Sequence, residues 1–115
     1  MKVLSLKLND KTYMTGKITS FLSKEALKIQ KESLALAKKA KEMQNTEKNE
    51  GDQVDEADEL LTSMMEIRES KTWLICEVYQ NKFDVETLEK SLDDEEIDQE
   101  INKILYGIVG TISKN

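Results

Sequence analysis

Apolar and polar positions alternate at the start of the chain, where Leu4, Leu6 and Leu8 interleave with Val3, Ser5 and Lys7. A period of two predicts a strand with one buried face. Asn9 and Asp10 tolerate left-handed backbone angles and favour a tight turn. Lys11 to Thr15 then reads as a second strand carrying Tyr13. The expectation is an antiparallel hairpin, Lys2 to Leu8 against Lys11 to Thr15. An isolated two-stranded hairpin is marginal in water, so it must lie on a helix.

Beyond Gly16 the period changes. Leu22, Ala26, Ile29, Ser33, Leu36, Ala40 and Met43 are spaced alternately four and three apart, a helical stripe that Leu27, Leu34 and Ala37 widen on one side. Residues 45 to 53 carry no apolar side chain and read as a polar, solvated linker inside one domain spanning 1–115. Ala57, Leu60, Met64, Ile67, Leu74 and Val78 share the face of a second helix. The stretch Arg68 to Thr72 within it is wholly polar, which predicts a solvent gap or a bend. Trp73 to Tyr79 is dense in apolar residues, and its continuity with the helical face favours helix over strand. Asp84 suits the cap of a short helix, and Asp93 with Glu96 forms a capping box for a last helix. Ile97, Ile101, Ile104, Leu105, Ile108, Val109 and Ile112 make that helix's apolar face.

The pattern therefore predicts a mostly helical α+β fold, with an N-terminal antiparallel hairpin packed on three to four helices. Helices are expected near residues 20–44, 54–80, 85–91 and 94–112. The expected core is Leu4, Leu6, Leu8, Leu22, Ile29, Leu36, Leu60, Met64, Leu74, Val78, Ile101, Ile104 and Ile108. Trp73, Tyr79 and Phe83 cluster in sequence, and as aromatics they are expected in the core before the surface.

The absence of Pro suits long helices. The single Cys, Cys76, has no intramolecular partner, which fits a reducing compartment. No run approaches the ~20 apolar residues of a membrane span. Charge changes the picture more. Residues 1–48 carry 11 Lys against five acids, a net +6, and residues 49–115 carry six basic residues against 18 acids, a net −12. The acidic half repels phosphate, so nucleic acid is not expected as a partner. The basic half suits its own acidic half, a second copy head to tail, or an acidic helical partner.

The sequence holds no His, the commonest general base and metal ligand near neutral pH. Cys76 lies in an apolar run, as an inert buried thiol does. Gly107-Ile-Val-Gly110 has the letters of an RNA-clamping loop but sits in an apolar helical face without flanking basic residues. The carboxylates from Asp93 to Glu100 lack the alternating oxygens and central Gly of a calcium loop, and capping accounts for the first four. No catalytic, cofactor-binding or metal-binding residue is expected.

Two segments resemble the small tail assembly chaperones of long-tailed bacteriophages. The first is Leu6-Lys7-Leu8-Asn9-Asp10, Lys11-Thr12-Tyr13 and Gly16-Lys17-Ile18-Thr19. The second is Val78-Tyr79-Gln80-Asn81-Lys82-Phe83-Asp84, followed by a short acidic helix and a final amphipathic one. The resemblance implies a non-catalytic protein of the host cytoplasm that binds the tape measure protein, the long helical ruler of the tail, before the tail tube polymerises. It also implies absence from the mature virion. It supplies no binding residues. For those the basic first helix is the candidate: Leu27, Leu34 and Ala37 beside Lys24, Lys31 and Lys38, with self-association as a further contact. The alternative is a small self-assembling tail or head-completion protein retained in the virion.

Overall fold

A computed structural model describes residues 4–44 and 50–113. The chain runs β1 (Ser5–Leu8), β2 (Lys11–Met14), α1 (Ser20–Gln44), α2 (Glu50–Val78), α3 (Val85–Ser91) and α4 (Asp94–Ser113). The expected mostly helical α+β architecture is present.

β1 and β2 pair antiparallel, with Leu8 opposite Lys11 and Ser5 opposite Met14. Asn9 takes the left-handed angle the turn needs, φ 54°. Beyond the strands the Leu4 N–H donates to Thr15 Oγ1 and the Thr15 N–H to the Leu4 carbonyl, both at 2.9 Å. Lys2 and Val3, expected in the first strand, lie outside the described residues. Leu4, Leu6 and Leu8 are buried while Ser5 and Lys7 are exposed, as a period of two requires. Lysines hold both edges: Lys103 Nζ donates to the Ser5 carbonyl and Lys82 Nζ to the Met14 carbonyl, each at 2.9 Å.

Local chemistry sets the helix ends. Thr19 caps α1 through its hydroxyl, which accepts from the Leu22 N–H at 3.3 Å. α2 starts at Glu50, so residues 50–53 of the expected linker are helical and residues 45–49 lie outside the described residues. The helix stops at Val78 because Gln80 and Asn81 both turn left-handed, φ 59° and 56°. The Asn81 N–H then closes on the Cys76 carbonyl at 2.8 Å, satisfying a terminal acceptor. Asp84 caps α3, taking the Thr87 N–H at 2.8 Å. The Asp93–Glu96 capping box forms in both directions, at 2.8 and 3.1 Å.

The core gathers at one end of the helices. Leu74, Ile75, Val78 and Tyr79 from the end of α2 meet Leu88 of α3 and Ile97, Ile101 and Ile104 of α4. β1 and the residue before it add Leu4, Leu6 and Leu8, and α1 adds Leu22, Ala26 and Ile29. Tyr13 lies edge-on to Phe83, ring centroids 4.9 Å apart. Of the three clustered aromatics Tyr79 and Phe83 are buried, but Trp73 is partly exposed beside Phe21.

Three expected core residues are not core. Leu36 and Leu60 are half-buried and Met64 is exposed. Burial ends at Ile29 on α1 and at Ile67 on α2, because the hairpin and α4 cover only one end of the helix pair. The radius of gyration, 16.5 Å, exceeds the roughly 13 Å of a compact globule of this length. Ile108 lies beyond the residues whose side chains are described. The polar stretch Arg68 to Thr72 does not interrupt α2. Arg68 and Lys71 reach α4, pairing with Asp94 at 3.0 Å and Asp98 at 2.7 Å. Thr72 turns its hydroxyl back to the carbonyls of Arg68 and Glu69.

Candidate partner-binding groove

Where burial ends, α1 and α2 run on beside each other with small side chains between them. Ser33, Ala37 and Ala40 on α1 face Leu60, Met64 and Ile67 on α2, and too little side-chain volume remains to fill the seam. The result is a groove of about 280 Å3, walled also by Leu36 and floored at one end by Ile97 of α4. Its rim is charged: Arg68 with Asp94, and Lys71 with Asp98. Exposed pairs of this kind contribute only ~0–1 kcal/mol each, so they position α4 more than they stabilise it. The interior is apolar apart from the Ser33 hydroxyl, which is buried and finds no hydrogen-bond partner among the described residues. A second hollow, about 290 Å3, opens on the other side of the same seam and shares Leu36 and Ile67. A third, about 310 Å3, lies along α2 between Met65, Leu92 and Ile97.

Methionine suits such a surface. Its unbranched, polarisable side chain fits irregular partners at little cost. Met64 is 40% exposed, and Met65 is freer still.

The sequence-derived candidates divide. Ala37 lines the groove. Leu27, Leu34, Lys24, Lys31 and Lys38 instead lie on the outer face of α1, all exposed. The groove residues Leu36, Leu60 and Met64 read from sequence as core. One signal distinguishes them: Leu60-Leu61 and Met64-Met65 give α2 two adjacent apolar pairs, an arc wider than one covered face uses.

Burial, and then nearby Asp84, Glu77 and Glu89, push the Cys76 thiol up to about 11. Burial and then Glu100 push the Tyr79 hydroxyl up. Among the described residues no three acidic, His or Cys side chains gather as a metal site would need, and no helix is long and apolar enough to cross a membrane.

An apolar groove at a helix seam has a shape that an amphipathic helix can fill. A family model described as Phage tail chaperone protein matches residues 1–115, and the chain belongs to that family. No curated protein and no solved structure matches it.

Proposed function

We propose that this tail chaperone binds the tape measure protein, without catalysis, and keeps it soluble in the host cytoplasm until the tail tube polymerises. The observation that carries this reading is the open groove itself, with Leu36, Leu60 and Met64 apolar and incompletely covered. A long client helix with a bare apolar stripe aggregates. Laid in the groove, its side chains complete the packing that α1 and α2 leave unfinished. Each apolar side chain so buried contributes ~1.5–3 kcal/mol, against ~0–1 kcal/mol for a rim ion pair. Apolar contact therefore dominates. Salt should weaken the complex modestly and leave it intact.

Co-expression with tape measure fragments tests this. The wild-type chain should keep soluble those fragments that precipitate alone. Leu60→Asp with Met64→Asp should abolish that rescue while circular dichroism shows the fold retained. Rescue that survives both changes refutes the groove. Mass spectrometry of purified virions should find the protein absent; stoichiometric amounts there would favour a retained structural component instead.

A further inference from the structure

The side of the α1–α2 seam turned away from the groove carries an exposed aromatic pair. Phe21 and Trp73 are 60% and 38% exposed, and their rings meet edge to face with centroids 6.4 Å apart. Glu25, Lys28 and Glu32 continue the row of Phe21 along α1 at helical spacing, and Ser70 and Glu66 continue that of Trp73 back along α2. Both rows run into the second hollow, which Glu32 and Glu66 line together with Leu36 and Ile67. Phe21 meets Trp73 while Lys39 meets Glu59, so the two helices are antiparallel. Glu25 and Glu77, each one turn from a ring, therefore bracket the pair from opposite ends, and both are half-buried. Glu25, Glu32, Glu66 and Glu77 pair with no cation among the described residues. Against these four acids the rows set Lys28, since Lys39 is already engaged by Glu59 at 3.8 Å. Neither ring has a cation over it; among the described residues that contact joins Lys11 to Tyr13.

We propose that this side is the docking surface for an arginine-bearing helix of a protein other than the groove's client. Aromatic rings left in water at a helix seam are the anchors that interfaces favour. The surplus of acid around them selects a basic partner. Arginine fits better than lysine, because its flat guanidinium stacks on an indole while its edge donates to a carboxylate one turn away. The occupant is not a second copy. The chain's single Arg, Arg68, lines the groove instead and is held by Asp94 at 3.0 Å. Nor can one straight helix lie here and in the groove at once, since the two open on opposite sides of the seam. From the rings to the second hollow is about 11 residues, roughly 16 Å of helix. The partner therefore carries Arg at one end and, about three turns on, an apolar side chain that enters the hollow.

Trp73 is the sole tryptophan, so its fluorescence reads the site directly. The probe is a synthetic Ala-rich helical peptide with two Arg one turn apart and two Leu about 11 residues on. Titrated into the full-length chain at about 0.15 M salt, it should shift Trp73 emission to the blue as the indole leaves water. Phe21→Ala, and Glu25→Gln with Glu77→Gln, should each weaken binding at least about 10-fold, with circular dichroism matching wild type. Replacing the peptide's Arg by Lys should weaken it about 3- to 10-fold. Leu60→Asp with Met64→Asp, which alters the groove, should leave the titration unchanged. Phe21→Ala should leave client rescue unchanged, so this surface and the groove stand or fall separately. No emission shift up to about 1 mM peptide overturns the proposal. So does binding that ignores Phe21 or the two acids, that is as tight with Lys as with Arg, or that disappears in the groove variant. Emission that shifts with protein concentration alone, without peptide, gives the rings to a second copy. Loss of client rescue in Phe21→Ala gives them to the client, and either result overturns the proposal.

Discussion

Ile104 and Met64 both fall on the apolar face of a helix in the sequence, and truncating each to Ala separates closed core from open groove. Ile104 is 0% exposed and lies in the central cluster. Ile104→Ala removes three carbons, about 2.4 kcal/mol of transfer free energy at ~0.8 kcal/mol each. It also leaves a void of roughly 60–80 Å3 that rigid neighbours cannot fill, about 1.5–2 kcal/mol more at ~24 cal/mol per Å3. The total is about 4 kcal/mol. Met64 is 40% exposed on a wall of the groove, so truncation opens no enclosed void and forfeits only the covered part of its surface. Its cost is about 1 kcal/mol. For a chain of this length the two losses correspond to melting-point drops of about 15 °C and about 4 °C. Urea unfolding followed by circular dichroism reads both. If Met64→Ala costs more than ~2 kcal/mol, the seam is closed core and the groove reading fails. If Ile104→Ala costs less than ~1 kcal/mol, α4 does not pack as described.

Three further outcomes are expected. Gln80 holds φ 59° at the end of α2, a conformation in which a side chain is strained, so Gln80→Gly should raise stability by about 0.5–1 kcal/mol in the same assay. Hydrogen bonds from the Thr87 hydroxyl and N–H hold the Asp84 carboxyl below its ordinary 3.8, so its contribution is complete above that value and is lost as pH falls through the folded value. Asp84→Asn keeps the cap, and its stability should therefore fall less than wild type between about pH 5 and about pH 2.5. Cys76 is buried with its thiol pushed up to about 11, so a thiol reagent at about pH 8 should label it only in denaturant; rapid labelling of the native chain would contradict its placement.

The order and type of every element were legible from the chain because each rests on local signals: alternation around Leu4 to Leu8, the Asn9-Asp10 turn, the caps at Asp84 and Asp93. What periodicity does not convey is how far a face is covered. Leu36, Leu60 and Met64 carry the same spacing as Ile29 and Leu74, but coverage depends on where the hairpin and α4 come to rest against α1 and α2. The polar run Arg68 to Thr72 misled for the same reason. Its partners Asp94 and Asp98 are remote in sequence, and nothing near Arg68 announces them.

β1 and α4 share one core, with Leu4, Leu6 and Leu8 lying among Ile97, Ile101 and Ile104, and Lys103 hydrogen-bonded to the Ser5 carbonyl. This pairing orders events during synthesis. A nascent chain reaching residue 93 has made its hairpin and its first three helices, yet lacks the helix that covers the hairpin's apolar side. Joining β1 to α4 closes the longest loop between these elements and carries the largest entropic cost among them. The strand β1 therefore waits for α4 to be made before its apolar side is covered. Until then the leucines of β1 are themselves a bare apolar stripe.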